Sequence, residues 1–257
     1  MAGAVNIAIV SVAGDLDVST VPGVRARIDR LVDAGCRRIF VNMENVTHVD
    51  SAGMGLILTE LRRMRRVGGL LSLLNVSSQV YRALRRMRML DYMPVARPGD
   101  RHDVAELDPS VLPMWRTTFR VDALALGEAR ERVVELISSL PFSSDEVFDM
   151  TLAAGEALGN AVDHTCGGGV LVTVAAYPDR VVVDVADCGE GFSLSQGETP
   201  PETGPGAERG RGIRLMRLLA DSVTIEGKST GEGTVVRLVK LFDSAPGADP
   251  PAPSIPA

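Results

Sequence analysis

GEALGNAVDH, residues 155–164, puts Glu156 and Asn160 four residues apart, with His164 one turn further on. At 3.6 residues per turn these side chains stack along one helix face. Val147, Met150, Ala154, Leu158 and Ala161 recur on the opposite, apolar face. Upstream, Ser143 and Glu146 have the spacing of a capping box, so the helix is expected from there to about His164. The stretch directly downstream is Val-rich. GVLVTVAAYPDRVVVDVAD (169–187) reads as two Val-rich strands around a turn at Tyr177, Pro178 and Asp179. Taken alone, the Glu156–Asn160 pair also suits a plain solvated helix face.

Three further pieces surround that helix. DCGEG (Asp187–Gly191) follows the second strand, where an aspartate can accept a hydrogen bond from a ligand amino group and glycines let backbone approach a flat ring. RGRG (Arg209–Gly212) closes a Gly- and Pro-rich stretch and opens a helix over Ile213–Ala220; glycines at a helix start can turn N–H groups toward phosphates. GEGT (Gly231–Thr234) precedes a strand over Thr234–Leu241, paired across a turn with one at Ser222–Glu226. A helix is also expected over Leu124–Leu136. Each piece alone is an ordinary turn signal; their order carries the information.

That set and order resemble the ATP-binding domain shared by DNA gyrase, Hsp90, histidine kinases and MutL. Glu156 and Asn160 match its first box, Asp187, Gly189 and Gly191 its second, Gly210 and Gly212 its third, and Gly233–Thr234 its last. The resemblance covers about Arg116–Leu241 and implies an α/β sandwich binding ATP and Mg²⁺. Asn160 would be the metal ligand, Asp187 the contact to the adenine amino group, and Gly204–Arg211 part of a lid, with Arg209 and Arg211 both open as phosphate contacts. Within that superfamily the short length and the EALGNAVDH style resemble the anti-sigma-factor serine kinases, which makes Glu156 the expected general base. No histidine-bearing dimerisation helix precedes the domain; His102 lies in a Pro-rich stretch. Kinases of this resemblance are often dimers, so a homodimer is an open expectation. Cys188, inside the second box, reads as a small filler rather than a redox group.

PVARPGDRHDVAELDPSVLP (94–113) lacks periodicity and reads as a linker, which separates four expected segments: a first domain at 1–95, the linker at 96–115, the ATPase-like domain at 116–241 and a disordered Pro/Ala-rich tail at 242–257. The first domain alternates strands (Val5–Val12, Arg38–Met43, Leu70–Val76) with helices (Thr20–Ala34, Ser51 onward, Ser78–Met89), a small α/β fold with parallel pairs. At its centre HVDSAGMG (48–55) sets Asp50 and Ser51 at a strand-to-helix junction followed by small residues. Either side chain can cap the helix. A helix start also stabilises an added phosphate, and Ala52, Gly53 and Gly55 leave the hydroxyl uncrowded.

GDLD (Gly14–Asp17), VDSAGMGLIL and the later Gly68–Gly69 pair resemble the STAS domain of anti-sigma-factor antagonists over about Val5–Val95. The resemblance makes Ser51 the expected phosphoacceptor and sets Asp17 near it. Ala52 stands where that family often has Ser or Thr. Antagonist and kinase are normally separate chains; here they are joined. The expected function is a partner-switching regulator of a sigma factor, with Ser51 or a separate antagonist as substrate, in cis or in trans. The partners would be the sigma factor, a STAS-domain antagonist, or the chain's own STAS half. A non-catalytic ATP-binding scaffold is the alternative.

Composition limits the other classes. The formal net charge of −6 does not favour nucleic acid, and the clusters Arg62–Arg66 and Arg82–Arg88 punctuate amphipathic helices as solvated faces. Cys36, Cys166 and Cys188 lack metal spacing and fit a reducing compartment. The N-terminal residues do not read as a signal peptide, and no apolar run approaches the ~20 residues of a membrane span. A cytoplasmic protein without membrane contact is expected.

Overall fold

Parallel pairing organises the first of two units into which the chain divides, Met1–Arg101 and His102–Ala257. The computed structural model describes residues 7–98, 104–108, 110–122, 125–165, 169–191, 193–194, 208–228 and 232–242, with backbone only at 208–211. Strands β1 (Ile7–Ser11), β2 (Arg38–Asn42) and β3 (Leu70–Leu74) lie in that order, Val10 opposite Val41 and Val41 opposite Leu73. They are apolar because parallel strands carry their crossover helices on the sheet and are buried. Helices α1 (Val21–Asp33), α2 (Ser51–Arg66) and α3 (Ser78–Arg86) supply the crossovers. Val24, Ile28, Ile57, Leu61 and Leu84 meet Val10, Ile39, Val41, Leu71 and Leu73 in the core. After a 3-10 turn at Met89–Asp91 the chain returns to β3, where Ala96 donates to the Leu73 carbonyl at 2.9 Å.

The second unit is built on a five-stranded antiparallel sheet in the order β4-β5-β6-β8-β7. Its strands are β4 (Trp115–Val121), β5 (Val170–Ala176), β6 (Arg180–Ala186), β7 (Ser222–Gly227) and β8 (Thr234–Leu241). Helix α5 (Ser144–His164) packs on β5, β6 and β8, with α4 (Leu126–Ser138) and α6 (Glu208–Leu219) beside it. Val133, Ile137, Met150, Leu158, Val172, Val183, Met216 and Leu238 form this core. Strand β4 is not among the elements the sequence pattern predicts. Its WRTTFRV alternation of half-buried and exposed residues directly follows a Pro-rich stretch and carries polar side chains on its exposed face. Helix α6 starts five residues before the expected Ile213.

The segment read as a linker is tied down at both ends. Ala96 pairs with β3. The buried Arg180 donates to the Ala105 carbonyl at 2.7 Å while paired with Asp179, and Met114 donates to the Ala176 carbonyl at 2.7 Å. The expected tail beyond residue 242 lies outside the described residues, as do residues 195–207, which hold 204–207 of the expected lid; its other half, 208–211, forms the first turn of α6.

Candidate functional site

The capping box of α5 is complete: Ser143 Oγ accepts from Glu146 N, and Glu146 Oε2 accepts from Ser143 N at 2.8 Å. The buried face of this helix is wider than its apolar stripe, because Ala153, Gly155 and Ala157 are buried together with Met150, Ala154, Leu158 and Ala161. Small residues let neighbouring helices come close on two sides. On one side Arg130 of α4 crosses Gly155, its Nη2 donating to the Gly155 carbonyl at 3.4 Å. On the other side stands α6. A Cβ on Gly212 would lie 3.3 Å from both Glu156 Oε2 and Asn160 Nδ2. Glu156 and Asn160 are half-buried against the first turns of α6, so the plain solvated face weighed from sequence is not what the fold builds.

Asp187 directly follows β6 and is 6 % exposed. Its Oδ1 accepts from Gly189 N at 2.9 Å and from Thr234 N at 3.0 Å, while its own N–H donates to the Thr234 carbonyl at 3.0 Å. Among the described residues no hydrogen bond falls on Oδ2. Two glycines make the close approaches. A Cβ on Gly189 would sit 2.3 Å from the His164 carbonyl, and one on Gly233, at φ +99°, would sit 2.3 Å from the Asp187 carbonyl. His164 is one turn beyond Asn160, so the first segment meets the second, the second meets the last, and the first meets the third. Gly191 has φ +81°, Gly210 lies in the first turn of α6, and Thr234 is buried at the start of β8. Four segments distant in sequence thus converge at one end of this unit. Cys188 Sγ lies 3.1 Å from Thr165 Oγ1. Cys166 and Gly231 lie outside the described residues, and the side chains of Arg209 and Arg211 are not described.

In the first unit the structure chooses between the two capping residues. Asp50 is the N-cap of α2: Oδ1 accepts from Gly53 N at 2.8 Å and Oδ2 from Val18 N at 3.2 Å. Ser51 is exposed, and among the described residues its hydroxyl makes no hydrogen bond. The GDLD turn is held against it from both ends. Leu16 donates to the His48 carbonyl and accepts from Asp50 N, at 3.1 and 3.2 Å. A Cβ on Gly53 would reach within 2.3 Å of the Leu16 carbonyl, whereas one on Gly55 meets nothing. Asp17 Oδ1 accepts from Ser19 Oγ at 2.6 Å and from the N–H groups of Ser19 and Thr20, which hold its carboxyl below the usual range. Asp15, which the sequence reading passed over, accepts from His48 N at 2.8 Å and from Thr47 N and Oγ1 at 2.9 Å; these bonds lower its carboxyl too. Its signal was its place as the first acid of GDLD.

Among the described residues no three His, Cys, Asp or Glu side chains gather as a metal cage, and no helix is long and apolar enough to cross a membrane.

Residues 119–240 match the histidine kinase-like ATPase domain and residues 1–100 the STAS domain. The chain is 36 % identical over 86 residues to an anti-sigma-B factor antagonist of Staphylococcus aureus, covering 34 % of this chain and 80 % of that protein. It is 31 % identical over 129 residues to the serine-protein kinase RsbW of Bacillus velezensis, covering 46 % of this chain and 79 % of that protein. Among solved structures, the phosphorylated form of the Bacillus cell fate determinant SpoIIAA aligns with 28 % identity and a TM-score of 0.32, over 37 % of this chain and 86 % of that one. With a STAS domain related to anti-sigma-factor antagonists and a histidine kinase-like ATPase domain related to RsbW, the chain belongs to the partner-switching family of sigma-factor regulators.

Proposed function

We propose that the second unit is a Mg·ATP-dependent protein serine kinase and that its substrate is a STAS-domain serine, either Ser51 or the corresponding serine of a separate antagonist. The observation that carries this reading is the meeting of Glu156 and Asn160 with Gly212 at the start of α6. A carboxylate, a neutral amide and a helix start brought together are what phosphoryl transfer requires: a proton acceptor, an oxygen for a metal, and N–H groups for phosphates.

The residues fit a nucleotide. Any side chain at Gly212 would fill the space beside Glu156 and Asn160, and the buried Asp187 keeps Oδ2 for an adenine amino group. Asn160 offers an amide oxygen to Mg²⁺, an ion that takes one or two protein ligands and completes its shell with phosphates and water. Gly189, Gly191, Gly210, Gly212 and Thr234 would line the nucleotide on this reading. Bound Mg·ATP supplies the γ-phosphoryl group, whose bond to the serine oxygen forms as its bond to the ADP oxygen breaks. Glu156 takes the hydroxyl proton and returns it to solvent. The rest of the catalysis lies in holding these groups in place.

Ser51 suits the acceptor role because Asp50 does the capping and leaves the hydroxyl unbonded. A phosphate there adds close to two negative charges at a helix start that favours them, and so alters the surface a partner sees without opposing the fold. The partners on this reading are a sigma factor and a STAS antagonist.

The test is intact mass after incubation of the full chain with Mg·ATP, followed by mapping of the Ser51 peptide. One added phosphate on Ser51, absent in Ser51→Ala and in Glu156→Ala, supports self-phosphorylation, and its dependence on dilution separates cis from trans. ATP binding with no added mass moves the search to a separate STAS substrate. If purified antagonists stay unmodified as well, the non-catalytic scaffold is the function.

A further inference from the structure

We infer that Lys228 is a positioning residue for nucleobase recognition, holding Asp187 in the orientation that selects adenine; this rests on the nucleotide reading above. Lys228 is the first residue after β7, at the base of the β7–β8 hairpin. Its main-chain N–H donates to the Gly233 carbonyl at 3.0 Å. Its side chain then folds back along Gly233, with Cδ 3.1 Å from where a Cβ would stand, and its ammonium donates to the main-chain carbonyl of Asp187. A lysine at a hairpin base ordinarily sends its charge out to water. Among the described residues this one spends it on a single carbonyl, in a charge-assisted bond roughly twice as strong as a neutral one.

The choice of residue is informative. Of 27 basic residues only Lys228 and Lys240 are lysines. Elsewhere the chain uses arginine, whose planar fork needs more room than a compact ammonium. Room is what this place lacks, because Gly233 already brings its backbone to van der Waals limits against the Asp187 carbonyl.

Asp187 is therefore gripped twice. Gly189 N and Thr234 N fix Oδ1, and Lys228 fixes the carbonyl and with it the peptide plane leading to Cys188. Oδ2 is left pointing by default. A carboxylate aimed this way accepts from the amino group of adenine and repels the carbonyl oxygen that guanine carries at the same ring position. Loosening one grip lets the carboxylate turn, which weakens the amino contact and leaves phosphate contacts untouched.

The experiment is calorimetric titration of the full chain with ATP and with GTP, comparing wild type with Lys228→Met and Lys228→Arg, alongside thermal unfolding. The expected result is a wild type that prefers ATP, a Met variant whose ATP affinity falls about tenfold while its weak GTP affinity stays, and an Arg variant between them. A Met variant that retains ATP affinity, or loses ATP and GTP affinity equally, overturns the positioning role. If Met unfolds the domain, the ATP-to-GTP ratio of the Arg variant decides: a ratio equal to wild type overturns the role. A wild type that binds neither nucleotide overturns the nucleotide reading and this inference with it. A wild type that binds ATP while Lys228 proves indifferent removes this inference alone.

Discussion

Ser51 and Asp187 are built by opposite means. Ser51 is exposed and makes no hydrogen bond among the described residues; the side chains of its neighbours Asp15, Asp17 and Asp50 accept from nine N–H and hydroxyl groups between them and hold the junction still. Asp187 is buried and is itself the acceptor of the bonds that orient it. If, as proposed, a second active site must reach Ser51, its freedom from local bonds serves that, and its order is supplied from next door. If, as proposed, Asp187 chooses between nucleobases, being buried and fixed in direction serves that, and its order is its own.

The comparison breaks most sharply at Glu156. Glu156→Ala is expected to lower phosphate transfer by about 10²- to 10⁴-fold with ATP affinity held within a few-fold, read by mass and by calorimetry. A variant that transfers phosphate at the wild-type rate removes the general-base role.

Backbone contacts come next. Gly233→Ala introduces both strain at φ +99° and a clash with the Asp187 carbonyl, and should cost the second unit about 3 kcal/mol in urea unfolding, together with ATP binding. Gly53→Ala drives α2 off the GDLD turn and should cost the first unit about 1–3 kcal/mol. Gly55→Ala, two residues along the same helix in open space, should stabilise it by about 0.5–1 kcal/mol.

The Ser51 junction then separates frame from acceptor. Asp50→Ala should cost about 1–2 kcal/mol as a lost N-cap, and Ser51→Ala less than about 0.5 kcal/mol, compared by thermal unfolding. Equal costs would mean that Ser51 carries structure after all.

The smallest effect lies further along α2. Glu60 is buried, its Oε2 has no hydrogen-bond partner among the described residues, and Arg63 and Arg25 stand 3.6 and 4.0 Å away, with Arg63 also paired to Asp29. Burial pushes the Glu60 carboxyl up, offset in part by Arg63. A raised folded value means that the stability this group contributes is complete below its ordinary value of about 4.3 and is lost as pH rises through the folded value. Glu60→Gln should remove that loss, so its stability relative to wild type should climb as pH rises from about 4.3. A constant difference across that range would show that Glu60 does not titrate on unfolding.

Much of this was legible in sequence because it depends on neighbours along the chain. Short apolar runs at Ile39–Val41 and Val181–Val183, the capping box at Ser143 and Glu146, and the four-residue spacing of Glu156 and Asn160 are local patterns. Strand β4 was not legible. Its alternation is half polar, and it becomes a strand by pairing with β5, 55 residues away at the Thr118–Thr173 contact.

Sequence by itself determined the two α/β units, the helix that carries Glu156 and Asn160, and an acid–serine pair at a helix start. Tertiary structure alone decided that Asp50 rather than Ser51 caps α2, that Glu156 and Asn160 face Gly212 instead of water, and that the Asp187 carboxylate is locked by Thr234. Helix period and capping are fixed within a few residues, whereas a carbonyl 2.3 Å from an absent Cβ, or a carboxylate shared by two N–H groups 45 residues apart, exists only once distant segments have packed.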